Sequence, residues 1–355
     1  MRRPIGPARR RRWPFVAAGA VVAAGAVAVV LIATSGDDPA TRATTRPTPT
    51  VSPSPTSTPT STPTPQGEAA EAVETIEKIS TRPAGIAYAG GDMWVMSPYS
   101  PFLTRIDTAT NRERDDHPKV GLDATAIVGT GDSVFVTVGA SRLLIAFDAR
   151  TGNERWRVQV PAGPRRLAVD AQGVWVGTNS PPGVAGLVIR YDPETGELQQ
   201  QITVLQGVGA LASSPEGLWL VKRDTNQLAR LDPETGQFGD VVAAPGPVRS
   251  MSFGADSLWM VLAEEDTVAR YGIDGDGPFT AGAGRNPTTA LVAGGLLFVA
   301  ARNDQSVQVL DTVNLRPVQD PIPVGVNPIA LAASEDGAVW VTSLGDNTVT
   351  RIELR

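Results

Sequence analysis

Beyond residue 67 the hydrophobic and polar positions alternate over short stretches, and no long run repeats with the period of about 3.6 residues that a helix requires. The apolar stretches are rich in Val and Leu and are bounded by Gly, Asp or Pro, which is typical of strands. Seven of these stretches carry one aromatic residue each, at steps of 39 to 44 residues: Trp94, Phe135, Trp175, Trp219, Trp259, Phe298 and Trp340. The chain is therefore predicted to contain seven structural repeats.

Two further markers keep the same spacing as the aromatic residues. A short motif of the type "PAGIA", "PRRLA" or "PIALA" precedes the aromatic, and a "DPETG" motif follows it at Asp192 and Asp232. Degenerate copies of the second motif begin at Asp107, Asp148 and Asp311. Each unit of about 41 residues thus reads as four strands, which is the pattern of a β-propeller blade. We predict an all-β, seven-bladed propeller over residues 72–355, with the aromatic residues packed between blades.

The "DPETG" motif is predicted to be a turn between the third and fourth strands. Asp192 and Asp232 then accept hydrogen bonds from the turn's own backbone, while Gly196 and Gly236 supply a positive φ. The stretch "GIDGDG" at 272–277 occupies the same place in the fifth repeat and is also interpreted as a turn, because no glutamate follows at the spacing of a calcium loop. These turns are expected on the face opposite the functional one.

Ring closure raises a separate question, because the last repeat ends with "TVTRIELR" after only three strands. A missing strand would leave an open sheet edge, which folded proteins avoid. The segment 72–80 has no repeat of its own and carries Val73, Ile76 and Ile79. We predict that it supplies the outer strand of blade seven and thereby joins the two ends of the propeller.

The N-terminal region predicts a membrane anchor. Residues 1–13 form a basic tail with six arginines, and the 19 residues from Phe15 to Ala33 have no charged or polar side chain. A helix of that length spans about 28 Å, close to the hydrocarbon thickness of a bilayer. We predict a transmembrane helix over 14–34 with a cytoplasmic N-terminus, since positive charge stays inside. A signal peptide cleaved near Ser35 is the alternative, and both interpretations export the rest of the chain.

A linker is predicted between this helix and the repeats, over residues 35–71. From Pro39 to Gln66 it holds eight prolines, ten threonines and four serines, so it has nothing with which to form a core. We expect an extended, disordered spacer that reaches at most about 87 Å at ~3.1 Å per residue. Its composition also suits O-glycosylation, and an unmodified spacer is the equal alternative.

Composition and charge exclude several functional classes. The chain has no cysteine and one histidine, His117, so thiolate sites, disulfides and mechanisms based on paired histidines are excluded. Eight arginines and two aspartates precede Gly67, which leaves 23 basic against 35 acidic residues and a charge of −12 for the repeats. Such a domain is a poor match for nucleic acid. No metal, no cofactor and no catalytic residue is predicted, and the propeller is expected to be monomeric.

The repeat pattern "P-x-x-[IL]-A … G-x-[VL]-W-V … R-[IL]-D-P-x-T-G" resembles bacterial seven-bladed propellers of the YVTN-repeat (YncE-like) and virginiamycin B lyase-like group. The resemblance implies the fold over residues 73–355 but not one function, because the group includes lyases, lactonase-like enzymes and surface-binding proteins. The lyases use a histidine near the central face, and no repeat has one after His117. The second repeat, "AFDARTGNERWRV", is also similar to quinoprotein and outer-membrane-assembly propellers.

Function is expected on the face that carries the connections between blades and the loops after the aromatic strands. Asp123, Arg166, Glu264, Glu265, Asn303, Asp304 and Asn347 are placed there as a wider set. The candidate ligand-binding residues are Arg82, Arg165, Lys222, Arg223, Arg249, Arg285, Arg302 and Asn327. Arginines suit carboxylate or phosphate recognition.

These residues predict a non-catalytic binding or scaffold module tethered outside the plasma membrane. The expected partner is a cell-envelope protein, a glycan or a small anionic ligand. Pairing of the arginines with neighbouring carboxylates, with no binding role, is one alternative. A metal-dependent lyase or lactonase that uses Asp, Glu and Asn in the central tunnel is another.

Overall fold

The computed structural model describes residues 69–355, and the regular elements in this range are all strands. The predicted tail 1–13, the predicted helix 14–34 and almost all of the predicted linker 35–71 lie outside the described residues. Within the described range, no helix has the length and hydrophobicity to cross a bilayer.

The strands follow one another at short intervals along the chain. Those of the first half are β1 (Ala70–Ile76), β2 (Gly85–Ala89), β3 (Asp92–Met96), β4 (Thr104–Asp107), β5 (Arg112–Glu113), β6 (Ala124–Gly129), β7 (Ser133–Val138), β8 (Leu143–Asp148), β9 (Glu154–Gln159), β10 (Pro164–Asp170), β11 (Gly173–Thr178), β12 (Gly186–Tyr191), β13 (Leu198–Val204) and β14 (Val208–Ser214). Those of the second half are β15 (Gly217–Lys222), β16 (Gln227–Leu231), β17 (Phe238–Ala243), β18 (Ser250–Gly254), β19 (Ser257–Leu262), β20 (Thr267–Gly272), β21 (Phe279–Gly282), β22 (Pro287–Ala293), β23 (Leu296–Ala301), β24 (Ser306–Asp311), β25 (Ile322–Pro323), β26 (Pro328–Ala333), β27 (Val339–Ser343) and β28 (Thr348–Leu354).

These strands form seven antiparallel sheets of four strands each, which confirms the seven-bladed propeller. Six blades use four consecutive strands, from the inner strands β2, β6, β10, β14, β18 and β22 to the outer strands β5, β9, β13, β17, β21 and β25. The seventh has the order β1-β28-β27-β26, so its outer strand comes from the opposite end of the described chain. The closure predicted from the sequence is therefore confirmed.

The closing strand differs from the prediction in its details. It begins at Ala70, which pairs with Leu354 and is 1% exposed. Val73, one of the three apolar residues of the predicted strand, is 42% exposed and lies where the register shifts between Ala72 and Glu74. Ile79 is buried, yet it lies beyond the strand and packs between blades seven and one.

The hydrophobic core is divided into seven clusters that lie between neighbouring blades, not inside one central mass. Trp94, Trp175, Trp259 and Trp340 are fully buried in these clusters, so the prediction that the aromatic residues pack between blades is confirmed. The indole of each second-strand tryptophan also donates to the turn that precedes its strand, as in the 2.9 Å bond from Trp259 Nε1 to the Gly254 carbonyl.

The identity of the second-strand aromatic residue correlates with the residue opposite it on the third strand of the same blade. An arginine lies directly opposite each of the five second-strand tryptophans, as in the pairs Trp175–Arg190 and Trp340–Arg351, and in blades one, three and seven its guanidinium stacks on the indole. Where the aromatic is phenylalanine the opposite residue is apolar, Ala146 in blade two and Val309 in blade six. The three stacked arginines are therefore structural, whereas Arg230 of blade four is exposed.

The propeller has two faces, which carry different segments of the chain. The turn face carries the turns between first and second strands and between third and fourth strands. The connection face carries the links between blades (77–84, 114–123, 160–163, 205–207, 244–249, 283–286 and 324–327) and the loops after the second strands (97–103, 139–142, 179–185, 223–226, 263–266, 302–305 and 344–347).

The acidic turn motif has the geometry that the sequence predicts. One carboxylate oxygen of Asp192 accepts from the amides of Glu194 and Thr195, both at 2.9 Å, and Asp232 makes the equivalent bonds. Gly196 and Gly236 have φ of 72° and 71°. These hydrogen bonds lower the pKa of both aspartates. The largest contribution comes from the backbone amide of Thr195 for Asp192 and of Thr235 for Asp232. The motif therefore has a structural role, in the turns of the turn face.

Candidate functional site

The inner strands are tied to one another close to the connection face. Thr125 Oγ1 donates to the Pro164 carbonyl at 2.9 Å, and Ser250 Oγ donates to the Thr288 carbonyl at the same distance. Thr288 in turn reaches the Pro328 carbonyl at 3.2 Å. Neutral hydroxyls thus make the links between several blades, and blades three and four share one too, from Ser213 Oγ to the Val169 carbonyl at 2.7 Å near the turn face. Near the connection face, however, the link between blades three and four is a charged side chain, which is a chemical exception.

That exception is Arg166, which lies in β10. Its Nε donates to the Gly209 carbonyl of β14, and its Nη1 donates to the Arg165 carbonyl at 3.3 Å. Only 9% of Arg166 is exposed, and none of the described carboxylates forms an ion pair with it. A Cβ added at Gly177 would lie 2.9 Å from both Arg166 Cβ and Leu211 Cδ1, so the arginine stem is tightly enclosed. Burial, aided by the charges of Arg165 and Arg223, lowers the pKa of Arg166 to about 9.

Two further arginines surround this buried cation. Arg165 sits where the pairing of β10 shifts register between Pro164 and Arg166, and it is half-buried whereas Arg166 is buried. Arg223 extends from blade four to the loop of blade three, where its guanidinium donates to the carbonyls of Ser180 and Pro181, the latter at 2.8 Å. The sequence candidates Arg165 and Arg223 therefore meet at Arg166, which was placed only in the wider set.

A second basic cluster lies between blades five and six. Arg249 Nη1 donates to Asn286 Oδ1 at 2.9 Å, and burial followed by the charge of Arg302 lowers the pKa of Arg249. The Arg302 side chain has no hydrogen bond or ion pair within residues 69–355. Arg285 belongs to the same region but is occupied, because its Nε lies 2.5 Å from Asp304 Oδ1.

The remaining three candidates do not join either cluster. The Arg82 guanidinium lies 4.8 Å from the centroid of the Tyr99 ring, in the link that enters blade one. Lys222 is the last residue of β15, and its Nζ lies 5.0 Å from the Phe238 ring centroid, toward the outer strand of its own blade. The Asn327 carbonyl accepts from the Leu344 amide at 3.0 Å. The candidates are thus on or beside one face without forming one pocket.

Four acidic side chains in the loops after the second strands, those of Asp224, Asp266, Asp304 and Asp346, hold the backbone of the connection face in place. Asp266 Oδ1 accepts from the Asn286 amide at 2.7 Å, and Asp346 Oδ2 accepts from the Val326 amide at 2.8 Å. Asp224 accepts from Arg223, which is the largest cause of its lowered pKa, and from the Gly183 amide. These carboxylates are therefore engaged in local structure and leave the basic clusters without them, apart from the pairs at Arg223 and Arg285.

The metal site that the alternative lyase or lactonase would need has no counterpart in the described range, since no three His, Cys, Asp or Glu side chains there converge on one point. His117 lies beside the short β5, with Nδ1 3.8 Å from Glu113 Oε1. Asp274 Oδ1 accepts from the Asp276 amide at 3.2 Å, which agrees with the turn interpretation of "GIDGDG".

Two shallow depressions occur in the described part of the chain. One of about 340 Å³ is on the side of blade six and is lined by Asp304, the partner of Arg285, together with Gln308 and Pro321. The other, of about 260 Å³, is on the turn face and includes Arg230 and Asp232. Neither is lined by one of the eight candidate ligand-binding residues, and neither has an arrangement of catalytic groups, so the buried charge, and not cavity volume, marks the candidate site.

Sequence reasoning missed the apolar part of the connection face. Among residues 69–355, eleven large hydrophobic side chains are exposed, and six of them lie on this face: Tyr99, Phe102, Leu122, Val184, Leu205 and Val326. Four of the others are on outer strands, and only Val313 is in a turn-face loop. The repeat "SPYSPF" after β3 was the available signal, because it replaces the polar loops of the other blades.

Comparison with known proteins adds two results. A family model described as outer membrane protein assembly factor BamB matches residues 87–199, which is less than half of the chain and includes the second repeat singled out above. No curated protein matches the chain. The sequence match to the assembly-factor family therefore lies within the first three blades.

Several solved propellers share the fold at low sequence identity. A catalytically inactive virginiamycin B lyase from Staphylococcus aureus with quinupristin has a TM-score of 0.65 and 16% identity, over 79% of this chain and 99% of the lyase. Hydrazine synthase from Kuenenia stuttgartiensis has a TM-score of 0.60 and 16% identity, over 79% and 97%. BamB from Moraxella catarrhalis has a TM-score of 0.53 and 15% identity, over 80% and 100%. At these identities the comparisons establish the propeller fold, and the YVTN-repeat grouping stays a prediction.

Proposed function

We propose that this chain is a membrane-tethered, extracytoplasmic binding propeller whose connection face holds an anionic group of a cell-envelope partner or small ligand. One observation carries the proposal: Arg166 is buried between blades three and four without a described carboxylate partner. Burying an uncompensated charge is costly. An anion that arrives from outside offsets that cost, and carboxylate or phosphate matches the fork of the guanidinium.

The surroundings of Arg166 fit this role. Arg223 spans blades three and four above it, and Arg165 adjoins it in β10, so three guanidinium groups share one sector of the connection face. The charge of −12 on the repeats makes such a basic sector a local exception. A ligand recognised here is therefore small or presents a single acidic group, because the surrounding surface repels an extended polyanion.

The path of the chain favours display of this face away from the membrane. β1 runs antiparallel to β28, from Ala70 beside Leu354 at the turn face to Ile76 beside Val349 at the connection face. The preceding residues therefore join the propeller at the turn face, and the Arg355 amide donates to the Ala69 carbonyl there. With an anchor over 14–34 and a spacer over 35–71, the connection face points away from the point of attachment.

Calorimetric titration tests the proposal with citrate, inorganic phosphate and a hexaglutamate peptide as probes. We expect citrate or phosphate to bind the full-length chain, and Arg166→Met to weaken that binding at least tenfold. Arg230→Met is the matched control, because Arg230 pairs with Glu216 near the turn face and is expected to leave binding unchanged.

The double variant Arg249→Ala/Arg302→Ala separates the two basic clusters. Retained binding in this variant identifies the Arg166 sector as the site. Absence of binding for all three probes, or equal binding by wild type and Arg166→Met, would contradict the proposal.

A further inference from the structure

The first blade exposes large apolar side chains from loops that are firmly held. We call Tyr99, Phe102 and Leu122 the apolar ledge; they are 54%, 44% and 60% exposed. Tyr99 and Phe102 come from the loop after β3, and Leu122 comes from the link between blades one and two. Contiguous exposed apolar groups on a soluble domain mark interaction surfaces.

The backbone beneath the ledge connects these two segments into one unit. The amides of Val120 and Gly121 donate to the Pro101 carbonyl at 2.9 and 3.1 Å, and the Asp123 amide donates to the Pro98 carbonyl at 2.9 Å. Leu122 is therefore flanked on both sides by residues that are bonded to the Tyr99–Phe102 loop.

Side-chain and backbone bonds within the loop make it rigid as well. Ser100 Oγ accepts from the Phe102 amide at 3.1 Å and donates to the Phe102 carbonyl at 3.0 Å, while Ser97 Oγ accepts from the Tyr99 amide at 3.1 Å. Two prolines in the loop further restrict its backbone. Apolar side chains that are fixed in place but left in solvent lose little entropy on binding, which is the preorganisation that favours a partner.

Cations border the ledge. The Arg82 guanidinium stacks on Tyr99 at 4.8 Å, and the Arg82 amide is fixed by Asn347 Oδ1 at 2.7 Å. Lys119 is exposed and forms a β-bridge with Phe102. The half-buried Asp123 is the acidic group closest in sequence to the ledge, and it lies against Gly139 of blade two. Aromatic residues beside arginine are the composition of protein interface cores.

We infer that the apolar ledge and its bordering cations dock a polypeptide segment of a separate protein, one that presents apolar side chains next to carboxylates. The inference rests on the binding role proposed above but not on the anion site at Arg166, which belongs to other blades. The chain's own Pro/Thr-rich segment at 39–66 does not fit, because its only charged residues are two arginines. Charge complementarity thus selects an acidic, apolar partner segment.

Selection from a displayed library of random dodecapeptides on the full-length chain tests this inference. We expect enrichment of peptides with Asp or Glu beside aromatic or aliphatic residues. Leu122→Asp and Tyr99→Ala are expected to weaken an enriched peptide at least tenfold, with unchanged melting temperature. Val313→Asp is the matched control, since Val313 is 75% exposed in a turn-face loop and its substitution is expected to have no effect.

A charge exchange gives a second, independent readout. Arg82→Glu/Lys119→Glu is expected to reject the acidic peptides and to enrich basic ones. Failure to enrich any peptide over background, or binding unaffected by Leu122→Asp, would overturn the inference. A concentration-dependent dimer that Leu122→Asp abolishes would also overturn it, by showing that a second copy covers the ledge.

The peptide and anion experiments fail independently. Arg166→Met is expected to retain peptide binding. Loss of peptide binding in this variant would indicate that the peptide occupies the anion site, and would contradict the inference that the ledge is a separate surface. If the chain binds the peptide but neither citrate nor phosphate, the proposed anion site would be contradicted, whereas the proposed docking surface at the ledge would be supported.

Discussion

Removal of the closing strand is expected to open the propeller and to cost on the order of 3–5 kcal/mol of unfolding free energy, as much as a severe core truncation. A chain that begins at residue 77 lacks β1, which leaves the β28 edge unpaired and exposes Ile352 and Val349 of the adjoining clusters. An unpaired edge is also a site for intermolecular pairing. We therefore expect both a lower denaturation midpoint and concentration-dependent aggregation.

A chain that begins at residue 69 is the matched control, since it keeps β1 and removes only what precedes it. Chemical denaturation and analytical ultracentrifugation are the measurements. A peptide of residues 69–77 added in trans is expected to restore part of the lost stability. Equal midpoints and equal oligomeric states for the two truncated chains would show that β1 does not close the ring.

Replacement of Arg166 by methionine is expected to stabilise the fold while it removes anion binding. Methionine fills the space of the arginine stem beside Leu211 without burying a charge. The loss of the charged hydrogen bond to the Gly209 carbonyl costs about 1.5–3 kcal/mol, and relief of the buried charge outweighs it. The net expectation is an unfolding free energy higher by about 1–3 kcal/mol at pH 7.

The pH dependence of this gain follows from the pKa of Arg166. Burial lowers that pKa to about 9 in the folded chain, below the ordinary value of 12.5. Above pH 9 the unfolded chain therefore binds more protons than the folded chain, and the stability of the wild type rises toward that of the variant. Below pH 9 both states are protonated and the penalty is complete. The difference in unfolding free energy is expected to be constant from pH 6 to 8 and smaller at pH 10.

Denaturant unfolding of the wild type and Arg166→Met at pH 7 and pH 10 provides this comparison. Arg166→Lys is the useful third chain, because it keeps the charge and loses the fork. A variant that is less stable than the wild type at pH 7 would show that Arg166 serves as a structural link, like Thr125 and Ser250 elsewhere in the ring.

The sequence predicted the fold well because each blade repeats its own local signals. The tryptophan, its opposite arginine and the acidic turn all act within one blade, so their spacing can be read along the chain. Ring closure was predictable because the last repeat lacks a strand. The exposure of Val73 was not predictable, because Val73 lies at a register shift in β1 that the residue types of this strand do not indicate.

The functional face was less predictable because its properties arise between blades. Arg165 and Arg166 are adjacent and chemically identical, and the packing of blade four against β10 distinguishes the buried Arg166 from its half-buried neighbour. The acceptor of Arg166 is Gly209, 43 residues away. The exposure of Leu122 likewise depends on loops that meet only after folding. Residue type indicated the face, but not the burial that distinguishes its residues.

The most direct test of the anion site is anomalous diffraction from crystals of the propeller soaked in selenate. We predict a selenium peak within hydrogen-bond distance of the Arg166 guanidinium, between blades three and four, and no such peak in Arg166→Met crystals. An Arg166 side chain paired with a carboxylate of its own chain, or a selenate-soaked crystal with no peak in that sector, would contradict it.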